Sequence, residues 1–241
     1  MKSVMHVSAV VCLLALGVCA YTVSAQNRDI WCISGGDTGA GTGTVIRGPN
    51  GTVVLFDEGH GTPWSDACKS VLAGAGITDG IDHAIASHYH TDHIGGLDDL
   101  IAAPTPISID NCWDRGGTLT QMKYNNTPTP IPAQYMAAVA GKRNTVKVDG
   151  TTDIDLGGGA MLYFLSVGAA DTAEYTTIRG GGTVTVTTEN DKSITALITY
   201  GGFDFYVGGD AEGTTEKAVD DVIIHDLGRN VDVLHIDHHG S

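Results

Sequence analysis

The sequence predicts an α/β fold with mixed sheets, and three observations predict it. Short β-branched and apolar runs recur along the chain, punctuated by glycines, of which there are 33 in 241 residues. Helix-like runs separate only some of them. Residues able to hold a metal or a proton gather where the strand-like runs end. In α/β folds, function collects in loops at one end of the strands.

A chain of 241 residues is long enough for one large domain with its own core. The formal charge is −15, and basic residues are scattered from Arg28 and Arg47 to Lys217 and Arg229. There is no basic stripe and no aromatic-basic platform, which argues against tight binding of long nucleic acid. Residues 1–25 read as a secretory signal peptide: Lys2, an apolar run from Val7 to Val23, then small residues before a cut at Gln26. The run is short for a membrane span. The expected mature domain is 26–241, secreted or periplasmic, with no membrane attachment once the leader is removed. It retains Cys32, Cys68 and Cys112. Export permits one disulfide, but spacing does not choose the pair. Oligomeric state is also left open.

Taken in order, Ile30 to Ser34 is a short strand and Gly35 to Gly43 a glycine-rich loop. Thr44 to Arg47 and Thr52 to Phe56 flank Asn50-Gly51, a strong hairpin signal. Asp57-Glu58-Gly59-His60 follows the second strand. Ser65 to Ala75 is a helix with Ser65 or Asp66 near its cap and Gly76 behind it. A strand leads to Ala86, then a histidine-rich loop, then a helix from Ile94 to Ala103. Ile107 to Asp110 is a strand, and Ala133 to Lys142 a helix. Thr145 to Val148, Thr152 to Leu156 and Ala160 to Ser166 are strands. The polar stretch 168–188 reads as a hairpin insertion. Ser193 to Tyr200 and Phe203 to Val207 form a hairpin around Gly201-Gly202, ending at Gly208-Gly209-Asp210. A helix from Thr214 to Asp226 precedes a buried strand, Val231 to Ile236, and then Asp237-His238-His239-Gly240-Ser241.

The histidine-rich loop is Ser87-His88-Tyr89-His90-Thr91-Asp92-His93-Ile94-Gly95-Gly96. His88 and His90 are two apart, so on an extended backbone their side chains share one side. Asp92 and His93 are adjacent and diverge toward a second point. One short loop thus presents ligands to two metal ions. Imidazole nitrogen and carboxylate oxygen are the donors that zinc and similar divalent ions take. Asp57, Asp210 and His238-His239 stand at three other strand ends.

The H-x-H-x-D-H pattern resembles the metallo-β-lactamase superfamily. Gly39 to Arg47 with Val54 to Gly59, Asn190 to Ser193, Tyr206 to Ala211, and Val231 to Ser241 resemble the competence-protein (ComEC) branch. The resemblance implies a four-layer αββα sandwich with a binuclear site. By it, His88 and His90 hold metal one, Asp92 and His93 hold metal two, Asp210 bridges, and His239 adds to metal two. Catalysis falls to His90, Asp92 and Asp210, while Asp57 and His238 support the ligands. Zinc is expected at two sites, with manganese an alternative. The superfamily's other metal-one histidine has no counterpart, because that place reads Leu165-Ser166-Val167-Gly168-Ala169-Ala170-Asp171. Family members also continue past the last motif, so the domain is expected to be truncated at its C-terminus.

The remaining histidines divide simply. His60 is a candidate lining residue, and His83, His225 and His235 are packing or surface residues. Arg115 reads as a turn residue, with anion binding the alternative. The expected activity is metal-dependent hydrolysis by a hydroxide made available at the two-metal site. A small-molecule or cell-surface phosphodiester is the first substrate class. A lactone or β-lactam is the alternative, as is a metal-binding protein without turnover.

Overall fold

The computed structural model describes residues 21–24, 29–34, 41–102, 104–122, 130–171, 173–235 and 237–240. The first sheet contains β1 (Tyr21–Ser24), β2 (Asp29–Ser34), β3 (Thr42–Arg47), β4 (Val53–Phe56), β5 (Ile81–Ile85), β6 (Ile109–Asp114) and β7 (Arg143–Thr145), in that spatial order. The strands from β1 to β4 pair antiparallel and those from β4 to β7 parallel. The sheet is therefore mixed. The parallel half sends the carboxyl ends of β4, β5 and β6 to one edge. The helices α1 (Gly61–Gly74), α2 (Thr91–Ile94), α3 (Leu97–Ile101) and α4 (Ile131–Ala138) occur in the connections of this half.

The second sheet is built on β9 (Ala160–Gly168). β8 (Ile154–Gly157) and β10 (Tyr175–Ile178) share one of its edges, and β12 (Thr195–Tyr200) takes the other. β11 (Gly182–Thr185) extends the β10 side, and β13 (Phe203–Val207) with β14 (Val233–Leu234) extends the β12 side. α5 (Gly213–Asp221) covers this sheet.

Both faces of the central strands are buried, and the period of two sorts their side chains between two cores. Val53 and Leu55 face Trp64, Leu72, Leu100 and Tyr135 on the helical side. Val54 and Phe56 face Leu162, Phe164, Ile198 and Phe205 of the second sheet. A third cluster joins Leu165, Leu197 and Tyr206 to Val219, Val222 and Ile223. The layers are therefore helix, sheet, sheet, helix. Trp64 is fully buried, and a Cβ on Gly59 would lie 2.2 Å from its indole. Trp64→Ala is expected to cost about 3–5 kcal/mol. A urea titration following the unfolding midpoint measures it.

Several elements depart from the sequence reading. α1 begins four residues earlier than Ser65, because Pro63 falls in its first turn, where no intrahelical bond is lost. The single helix expected from Ile94 is two short ones, interrupted at Gly95-Gly96. A Cβ on Gly96 would lie 2.2 Å from the Glu58 carbonyl oxygen, so the chain is pinned there instead of continuing. The helix from Thr214 gives way at Val222 to a π-turn ending at Asp226. The strand expected over Val231 to Ile236 shortens to Val233–Leu234, and Leu234 is 57% exposed. It is an edge strand, bonded only to β13 among the described residues, so its outer face meets solvent.

The polar stretch 168–188 does form a hairpin, which joins the sheet through β9. Tyr21–Ser24, assigned to the leader by sequence, pairs antiparallel with β2, while residues 1–20 lie outside the described residues. Cys32, Cys68 and Cys112 are free thiols, the latter two deep in the helical-side core. No helix among the described residues is long and apolar enough to cross a membrane.

Candidate metal centre

The parallel pairing of β4 with β5 brings Asp57 and Ser87 to the same edge of the first sheet. Asp57 follows β4 directly and adopts a left-handed backbone, φ 64°. An acid tolerates that region better than most side chains, and such strain clusters at functional sites. The turn aims the carboxylate back at the β5 loop. Asp57 Oδ1 accepts the Ser87 backbone N–H at 2.7 Å, and Oδ2 accepts the Ser87 hydroxyl at 3.0 Å. His93 Nδ1 lies 2.8 Å from the same Oδ2.

The second sheet supplies the opposite wall. The turn after β13 carries Gly208-Gly209-Asp210, and a Cβ on Gly209 would lie 2.4 Å from Ser87 Oγ. Only glycine lets the two loops approach this closely. The Ile194 N–H donates to the Ser87 carbonyl at 2.8 Å, tying the start of β12 to the same loop. Asp210 thereby reaches the histidines of the first sheet. Its Oδ1 is 3.1 Å from His93 Nε2, and its Oδ2 is 3.8 Å from His88 Nε2. His88 Nε2 is 2.9 Å from His90 Nδ1. Asp92, more exposed, places Oδ2 3.8 Å from His93 Nε2.

Ligand atoms of His88, His93 and Asp210 all fall within 4.8 Å of one another, and the three side chains are buried. Two imidazole nitrogens and a carboxylate oxygen at that spacing fit a borderline divalent ion such as zinc. The electrostatics agree with a site that a cation would relieve. Burial opposes protonation of His93, yet the Asp57 and Asp210 carboxylates outweigh it and hold its pKa well above the ordinary imidazole value. Burial lowers His90, against the pull of Glu189 and Asp92. Burial and the neighbouring Asp57 push Glu58 well above the usual carboxylate range.

The structure brings His88, His90, Asp92, His93, Asp57 and Asp210 together. The His239 side chain lies outside the described residues; its backbone belongs to the turn Asp237–Gly240. His238 contacts the turn that carries Asp210 and the segments beside it. Its backbone N–H donates to the Gly209 carbonyl, while its ring contacts Glu212 and Asn190. His60 packs beside Gly95 at the start of α1. His83 accepts from the Trp113 indole at 3.0 Å.

Where the superfamily's other metal-one histidine would stand, β9 runs on to Gly168. A Cβ on Gly168 would lie 2.3 Å from the Lys192 Cβ, so no larger residue fits there. The next carbonyl, Ala169, accepts from Arg115. Arg115 is thus no surface turn residue: it is 2% exposed and pairs with Glu189 at 3.0 Å. Its guanidinium lies 4.5 Å over the Tyr89 ring, and Glu189 Oε1 accepts the Tyr89 N–H at 3.1 Å. Tyr89 sits between His88 and His90, so this pair holds the histidine-rich loop from behind. Arg143 adds a bond to the Tyr89 hydroxyl at 3.1 Å and an ion pair to Asp114. Sequence reasoning missed Ser87, Glu189 and Ser193 as parts of the site. The only local signal was that Ser87 and Ser193 each stand at one end of a motif already singled out, the histidine-rich loop and Asn190 to Ser193.

The Metallo-beta-lactamase superfamily model matches residues 36–109. An atrochrysone carboxyl ACP thioesterase of Aspergillus terreus is 40% identical over 62 residues, covering 25% of this chain and 19% of the relative. The lactamase-like protein nscB of Aspergillus fumigatus is 39% identical over 118 residues, covering 45% and 32%. The chain thus spans between about a fifth and a third of the length of these relatives. Among solved structures, a Cronobacter sakazakii metallo-β-lactamase motif mutant superposes with a TM-score of 0.50 at 14% identity, covering 85% of this chain and 73% of that one. The chain has the metallo-β-lactamase fold. Family model and fold together support its place in the metallo-β-lactamase superfamily, whose members include hydrolases. These matches do not confirm the competence-protein branch.

Proposed function

We propose that this chain is a metal-dependent hydrolase of an ester-type bond, with an acyl thioester as the first substrate class and a phosphodiester as the second. The observation that carries the hydrolase reading is the buried convergence of His88, His93 and Asp210. His88, His90 and Asp210 would hold one ion, and Asp92, His93 and Asp210 the other, with His239 joining the second by resemblance. When bound, the ions lower the pKa of water toward neutrality and polarise the attacked group. The chain's own residues fix the geometry: Asp57 and Ser87 orient the histidines, and Asp210 faces both sets.

Two observations support the order of substrates. Relatives carrying thioesterase names share about 40% identity with this chain over 62 residues. Carboxylates crowd the site, and Arg115 is engaged by Glu189 and the Ala169 carbonyl. An uncharged acyl group suits such surroundings better than a phosphodiester anion. The phosphodiester rests on the competence-protein resemblance and therefore stands second. Export by the N-terminal leader belongs to the same proposal, with the substrate met outside the cytoplasm.

Zinc- or manganese-loaded protein is offered an acyl thioester followed by thiol release, bis(p-nitrophenyl) phosphate, and a chromogenic cephalosporin. We expect thioester cleavage that stops with a chelator and returns with metal. Cleavage of the phosphodiester alone would promote the second class. Cephalosporin cleavage alone would move the assignment to a lactam hydrolase. Inert protein with full metal content would favour a metal-binding role.

A further inference from the structure

His88 and His93 are buried at 0% and 1% exposure, and each turns Nε2 toward Asp210. A metal-ligating imidazole needs a partner for its other nitrogen to fix ring and tautomer. For His93 that partner is plain, since Nδ1 lies 2.8 Å from Asp57 Oδ2. For His88, Nδ1 is 3.0 Å from Ser87 Oγ and 3.4 Å from Ser193 Oγ. The Ser87 hydroxyl has one proton, which it donates to Asp57 Oδ2 at 3.0 Å. Toward His88 it can only accept. Ser193 Oγ, which accepts the Asp210 N–H at 3.2 Å and keeps a proton of its own to give, stands farther off at 3.4 Å, so the shorter Ser87 contact sets the tautomer. His88 therefore carries its proton on Nδ1 and turns the Nε2 lone pair into the site.

We propose that Ser87 is a positioning residue that relays the Asp57 carboxylate to His88, so that one acid orients a ligand of each metal ion. The relay rests on reading this site as a metal centre. Asp57 acts on His93 directly and on His88 through Ser87. The Ser87 backbone N–H to Asp57 Oδ1, at 2.7 Å, locks the carboxylate in plane for both tasks. Gly209 closes the Ser87 pocket from the second sheet, where a Cβ would lie 2.5 Å from the Ser87 Cβ. The hydroxyl therefore has one place to be. The relay makes the two ions unequal in their dependence on Ser87: removing its hydroxyl strips support from His88 and leaves the His93–Asp57 bond standing.

Two measurements on the full chain test this. Long-range proton–nitrogen spectra of metal-free wild-type protein read the His88 tautomer. Zinc titration with metal analysis reads site affinities in wild type, Ser87→Ala and Asp57→Asn. We expect the Nδ1–H tautomer on His88. In Ser87→Ala we expect one zinc site weakened about 10–100-fold, the other little changed, and the His88 tautomer redistributed. Asp57→Asn weakens both sites. An Nε2–H tautomer in the wild type overturns the relay, whatever the variants do. So does Ser87→Ala protein that binds two zinc ions as wild type does, or that loses both sites equally. Wild-type protein that binds no zinc overturns the metal reading itself, while the tautomer still decides the hydrogen-bond relay.

Discussion

Asp210→Ala is expected to abolish hydrolysis and to remove most bound metal. Asp210 is the residue that closes the site from the second sheet, with Oδ1 3.1 Å from His93 Nε2 and Oδ2 3.8 Å from His88 Nε2. Its carboxylate faces both ligand sets, so its loss weakens both ions at once instead of one. Without it, the three-residue cluster is reduced to two imidazoles. Catalysis that needs both ions should fall on the order of 1,000-fold or more, about 4 kcal/mol of transition-state stabilisation. Metal analysis of the dialysed protein and kcat/KM on the cleaved substrate measure the two effects. A thermal melt supplies a third reading, because an ion bound only by the folded state raises the melting temperature. Added zinc should raise it in wild type and leave the variant nearly unmoved. Two full equivalents of tightly held zinc in Asp210→Ala would show that Asp210 is not the shared ligand.

Arg115→Ala is expected to destabilise the fold by about 3–5 kcal/mol, the usual consequence of removing one partner of a buried ion pair. Arg115 and Glu189 side chains are 1% and 9% exposed, so the surviving carboxylate has little water to fall back on. For a chain of this size the melting temperature should drop by about 10 °C. The effect reaches the site, because the same pair holds Tyr89 by its ring and its N–H. Tyr89 stands between His88 and His90, and loosening it releases both. Activity should therefore fall further than stability alone accounts for at a temperature where the variant is folded. An apolar pair, Arg115→Met with Glu189→Leu, should recover much of the melting temperature without the activity. An Arg115→Ala protein that melts within 2 °C or so of wild type would remove the pair from the structural account.

The sequence by itself determined the α/β class and the hairpins around Asn50-Gly51 and Gly201-Gly202, and it marked the histidine-rich loop from His88 to His93. These features are local. A turn dipeptide, a run of β-branched residues or a two-residue histidine spacing carries its own geometry. It also marked Asp57 and Asp210, because an acid at a strand end beside glycine is visible in one line of text. That the two acids meet the same histidines was decided by the tertiary structure. Parallel pairing of β4 with β5 brings Asp57 to Ser87 across 30 residues, and sheet packing brings Gly209 and Asp210 to the same loop. Arg115 and Glu189, 74 residues apart, carry no mutual signal in the chain and find each other only because β6 and the turn before β12 end side by side. The break at Gly95-Gly96 and the exposed edge at Leu234 have the same origin. The run of apolar residues suggests a continuous helix and a buried strand there, but two glycines with a close backbone approach at Glu58 break the first, and an open sheet edge shortens the second.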